Sequence, residues 1–101
     1  VLLLIAGYAL MPKSPWDRSP NMNFMDGKVN NSQRLLGETN SENECAAMCE
    51  PNTWCNYYTW YDKITANADK AGKCWGLVNK VAIPYDQSGV FSGARKLNQQ
   101  V

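Results

Sequence analysis

Cys45, Cys49, Cys55 and Cys74 are the residues of this 101-residue chain best suited to chemistry. Three of them fall in the stretch SENECAAMCEPNTWC, residues 41–55. Metal binding, thiol chemistry and covalent cross-linking all compete for such a cluster. Structural zinc sites usually present CxxC knuckles, and the gaps here are CxxxC, then five residues, then eighteen. A thioredoxin-like redox pair also needs CxxC. An even number of cysteines in a small chain rich in tryptophan and tyrosine is read as two disulfides, which implies an oxidising compartment: secreted, cell-surface or lumenal.

The chain has no histidine, so Ser-His-Asp and Cys-His nucleophile systems are excluded, as are the usual histidine-dependent catalytic zinc sites. Neither GxxxxGK[ST] nor GxGxxG occurs. An enzyme would have to run on carboxylates, lysines or tyrosines alone. The expectation is a non-enzyme with no catalytic residues, cofactor or metal. Ten basic and nine acidic residues are well mixed, giving a net charge of +1. Without a basic stripe to follow phosphates, nucleic acid is not an expected partner. Asp62, Asp69 and Asp86 lack EF-hand spacing.

These side chains need elements to hold them. Ser41-Glu42-Asn43-Glu44 is a capping box, with Ser41 at the N-cap and both glutamates at the positive end of the helix dipole. Ala46, Ala47 and Met48 favour helix, and Pro51 ends it near Glu50. A helix over 42–50 puts Cys45 and Cys49 on one face, one turn apart. CNYYTWY, 55–61, reads as a strand with Tyr58 and Trp60 on one face and Tyr57, Thr59 and Tyr61 on the other. KCWGLVNK, 73–80, and VFSGARKL, 90–97, are further strands, joined by a polar loop at 62–73 and a turn region at 83–89. Asp26-Gly27 marks another turn with strand-like flanks. Tyr58, Trp60, Trp75 and Leu77 are expected as core around the helix. One helix among several strands makes an α+β domain. At this length a core buries only about two-thirds of the unfolded surface, so staples matter.

Residues 1–11, VLLLIAGYALM, form the one strongly apolar run in a chain whose mean hydropathy is −0.44. It is shorter than the roughly 20 apolar residues of a membrane-spanning helix. Three readings are open: a targeting or membrane-anchor remnant, an element folded onto its own domain, or a segment that docks on neighbouring copies through Leu2, Leu3, Leu4, Ile5, Tyr8 and Leu10. Residues 12–21 carry three prolines and read as a linker, which favours the third reading because it lets the segment reach a neighbour. Residues 22–101 are then the folded domain. Asn30-Asn31-Ser32 is an N-glycosylation sequon with Asn30 as acceptor.

A capped helix carrying CxxxC, a third cysteine, an aromatic strand, a CW strand and a terminal SG strand occur in that order. The sequence ECAAMC at 44–49, CNYYTW at 55–60, CWGL at 74–77 and SGAR at 92–95 resembles PAN/apple domains over residues 22–97. The resemblance implies one short helix packed on a curved antiparallel sheet. It also implies bridges Cys45–Cys74 and Cys49–Cys55. Two cysteines on one helix face are in any case better placed to reach different strands than each other. The further bridge that often joins the ends of apple domains has no cysteines here. Functionally the resemblance implies an extracellular module for adhesion or recognition of protein or carbohydrate. Two functions are expected for the chain: self-assembly into a filament or surface lattice, which follows from the apolar residues 1–11 and their linker, or ligand recognition. For recognition, Trp54, Tyr57, Tyr61 and Tyr85 are the candidate site, as aromatics that stack on sugars or anchor a protein.

Overall fold

The computed structural model describes residues 14–25, 33–64, 67–79 and 82–96. The apolar segment 1–11 and Asn30 lie outside them. The elements are β1 (Trp16–Met25), β2 (Gln33–Glu38), α1 (Glu42–Cys49), β3 (Tyr57–Tyr61), β4 (Lys73–Leu77) and β5 (Ile83–Arg95). The five strands form one antiparallel sheet in the order β1-β5-β3-β4-β2. The small α+β fold expected from the sequence is therefore present.

Helix α1 begins as its sequence dictates. Ser41 is extended, and its hydroxyl accepts from the Glu44 amide at 3.2 Å, satisfying one of the unpaired donors of the first turn. Cys45, Ala46 and Cys49 face the sheet and are buried. They pack with Tyr58, Trp60, Cys74 and Trp16. Tyr58 pairs with Gly93 and Gly76 in register: a methyl at Gly93 would overlap its ring, and one at Gly76 would meet Cys55 and Trp54. Trp16 meets the Tyr58 ring edge-on, with centroids 5.1 Å apart.

The first correction concerns the linker. Residues 16–21 of the expected 12–21 linker are strand, and Trp16 is in the core at 4% exposure. Pro20 is tolerated because β1 is an edge strand, where a missing backbone N–H need not break a ladder. The second correction concerns the expected turn at 83–89, which is the first half of the 13-residue β5. The β1–β5 register runs from Trp16 opposite Arg95 to Pro20 opposite Phe91, then resumes at Met22 opposite Asp86. Residues 87–90 thus stand against Asn21 alone. Both strands bend there: Asn21 has φ 54° and Gly89 φ 82°, and the Asn21 side chain accepts from the Gly89 amide at 3.1 Å.

Beyond this corner the β1–β5 ribbon folds over the sheet face opposite the helix. Phe24 lies on Tyr57 with centroids 4.7 Å apart, and the two pack with Leu77 and Ala82. The third correction follows from this second small core. Alternation along β4 turns Cys74 and Gly76 toward the helix and Trp75 and Leu77 away from it. Leu77 is buried, but under the ribbon, and Trp75 is only half-buried.

Candidate functional site

The cysteines pair as Cys45–Cys74 and Cys49–Cys55, none is left free, and all four are fully buried. The first bridge ties α1 to the central sheet. The second closes the short return between α1 and β3.

That return is held by a side chain the sequence reading did not single out. Arg95 ends β5 on the helix side of the sheet and is 7% exposed. Its guanidinium donates to the carbonyls of Cys49, Glu50, Asn52 and Cys55 at 2.8–3.4 Å. It also stacks over Trp16 at 4.7 Å. These carbonyls include the end of α1, where helices leave acceptors unpaired and the dipole favours a cation. Burial lowers the Arg95 pKa, and the charge of nearby Glu50 opposes that shift. The signal was available: Phe91, Gly93 and Arg95 alternate onto the buried side of a strand, and a charge there needs partners.

A second polar cluster joins helix and sheet at the surface. Tyr58 donates to the Glu42 carboxylate at 2.5 Å, Arg18 donates to Asn43, and Arg18 lies 3.9 Å from Glu42. The Tyr58 phenol is pushed far above its ordinary pKa, first by burial, then by the bond to Glu42 and by Glu42's charge, with Arg18 acting the other way. The phenol therefore stays protonated in the fold while the unfolded chain ionises near pH about 10. Above that pH the unfolded state binds fewer protons, so this contribution to stability is full below pH about 10 and declines as pH rises further. Tyr58→Phe is expected to flatten the alkaline fall in urea midpoint between pH 9 and 11. An unchanged slope would show that Tyr58 does not carry it.

The four aromatics expected as one ligand site do not gather. Trp54 is half-buried on the helix side, with the Arg34 guanidinium 5.0 Å above its ring. Tyr57 is 8% exposed under Phe24, and its hydroxyl accepts from the Ala82 amide at 3.3 Å. It is therefore not an exposed platform: the folded ribbon covers the face on which it was expected to stand. Tyr61 and Tyr85 each lie next to Asn23, on that second face. Asn23 pairs with Tyr85 across the ribbon and is 2% exposed. Its Nδ2 donates to the Tyr61 hydroxyl and to Gln87 Oε1, each at 2.9 Å. The Lys70 ammonium lies 5.6 Å from the Tyr61 ring centre. Burial, then the neighbouring Tyr61, raises the Tyr85 pKa. Asn23 and Gln87 were missed because only the corner at Asn21 and Gly89 carries them over β3.

Among the described residues no group of three or more acidic, cysteine or histidine side chains is arranged to hold a metal ion. No described helix is long and apolar enough to cross a membrane. No protein-family model matches the chain, and no curated protein matches it.

Proposed function

We propose that the chain is a non-enzymatic extracellular module of PAN/apple type, and that it is the repeating head of a filament or surface lattice. The carrying observation is the use of all four cysteines in two buried bridges, which persist in an oxidising compartment. The covalently fastened helix and sheet suit a head that bears load or presents a surface outside the cell. The assembly part of the reading rests on residues 1–11, whose apolar side chains would bury against a neighbouring copy. At about 1.5–3 kcal/mol for each large side chain, six such residues supply ample gross driving force. Other copies of the chain are thus its proposed partners. Electron microscopy of the oxidised intact chain is expected to show regular assemblies. A uniform field of single small particles would contradict the assembly reading.

A second reading has its own observation. The buried amide of Asn23 donates to Tyr61 and stands opposite Tyr85 on the folded ribbon, which suits a recognition module for glycan or protein, with residues 1–11 a signal or anchor remnant. Trp54 with Arg34 is a separate aromatic surface on the other side and does not join that site.

A further inference from the structure

We propose that Tyr61, Tyr85, Gln87 and Lys70 form a binding site for the carboxylate of an acidic sugar. This rests on the recognition reading of the module and gives it a ligand class. The polarity of the site follows from one buried residue. Asn23 Oδ1 accepts from the Phe24 amide at 2.8 Å, and a backbone N–H can only donate. The amide orientation of Asn23 is thereby set, and its Nδ2 must be the atom facing Tyr61 and Gln87. Both Nδ2 hydrogens are used, one on the Tyr61 hydroxyl oxygen and one on Gln87 Oε1.

The outward groups are then donors. Tyr61 accepts from Asn23, so its own proton is directed elsewhere. Gln87 has its oxygen engaged, which leaves the Nε2 hydrogens for a ligand. Tyr85 lies on the same side of β5 as Gln87, two residues away, and adds a hydroxyl. Lys70 adds a full positive charge beside the Tyr61 ring. Of the acids around it, Asp69 adjoins Lys70 and is exposed, Asp86 alternates to the exposed outer side of β5, and Asp62 accepts from the Ile64 amide at 3.0 Å. Donors from three side chains and an ammonium select an acceptor-only anionic group, and carboxylate fits that description. The half-buried bodies of Tyr61 and Tyr85 supply apolar flanks beside their polar tips, which a sugar ring uses and a bare carboxylate does not.

The test is titration of the intact, oxidised chain with trigalacturonate, followed by calorimetry or by amide chemical shifts, with neutral trigalactose and acetate as comparisons. Trigalacturonate is expected to bind with a Kd of about 1 mM or tighter, and each comparison at least about ten-fold more weakly. Gln87→Glu keeps an oxygen for Asn23 but replaces the donor by a negative charge. It is expected to weaken trigalacturonate at least about ten-fold with an unchanged melting temperature. Binding unchanged by Gln87→Glu, or acetate binding as tightly as the saccharide, overturns the site. Equal binding of trigalactose overturns the carboxylate assignment and leaves the recognition reading standing. A chain that binds neither saccharide overturns the site and leaves protein as the ligand of the recognition reading.

Discussion

Replacing Cys45 and Cys74 together by alanine is expected to lower the unfolding free energy by about 3–4 kcal/mol, against about 2 kcal/mol for the Cys49/Cys55 pair. The difference comes from loop length. The first bridge closes a separation of 29 residues and the second a separation of 6, and the entropy removed from the unfolded chain grows with the logarithm of the loop. Packing does not separate the two pairs, because all four cysteines are fully buried in the helix-side core and either double variant leaves sulfur-sized gaps there. A domain of this size has a net stability of about 5–15 kcal/mol, so loss of the longer bridge removes a large share of it. Denaturant melts of the two double variants beside the parent chain measure both values. Equal effects from the two bridges, or a loss below about 1 kcal/mol for the longer one, would contradict the role given to the Cys45–Cys74 staple.

Arg95→Ala is expected to destabilise by about 3–5 kcal/mol, more than removal of any exposed charge. Four carbonyls at the end of α1 and in the following return lose the guanidinium at once, and of these Cys49 and Asn52 keep a backbone N–H donor. Trp16 loses the cation stacked on its ring. Arg95→Lys is expected to recover only part of the loss. A single ammonium is a compact point charge and cannot reproduce a planar group whose Nε and Nη2 both bond Cys55 O while Nη2 faces three further carbonyls. Denaturant midpoints of the two variants distinguish the cases. If Arg95→Ala stays within about 1 kcal/mol of the parent, the clamp is not holding the return.

The helix and its staples were legible in the sequence because their causes are local. Ser41 and Glu44 mark the start, Pro51 the end, and CxxxC puts two sulfurs on one face. The pairing implied by the resemblance to PAN/apple domains is the pairing present. The ribbon was not legible, because its cause is distant. Pro20 looks like a linker residue until β5 lies beside it, and Asn21 and Gly89 form their corner only as partners. Without that corner, Tyr57 looks exposed and Leu77 looks like helix-side core. The same gap hid half of the candidate site. Tyr61 and Tyr85 stood out as aromatics, whereas Asn23 and Gln87 acquire a role only when 64 residues of chain separation are closed by one hydrogen bond. Arg95 belongs to the same class: alternation put it on the buried side, but its acceptors come from another element.

The function proposed for the whole chain turns on what residues 1–11 do outside the head. The measurement is light scattering of the oxidised intact chain beside a form lacking residues 1–12, at matched concentration. The expected result is large, regular particles from the intact chain and a folded monomer from the shortened one. Two monomers of equal compactness would contradict assembly through the apolar segment and leave recognition as the module's function.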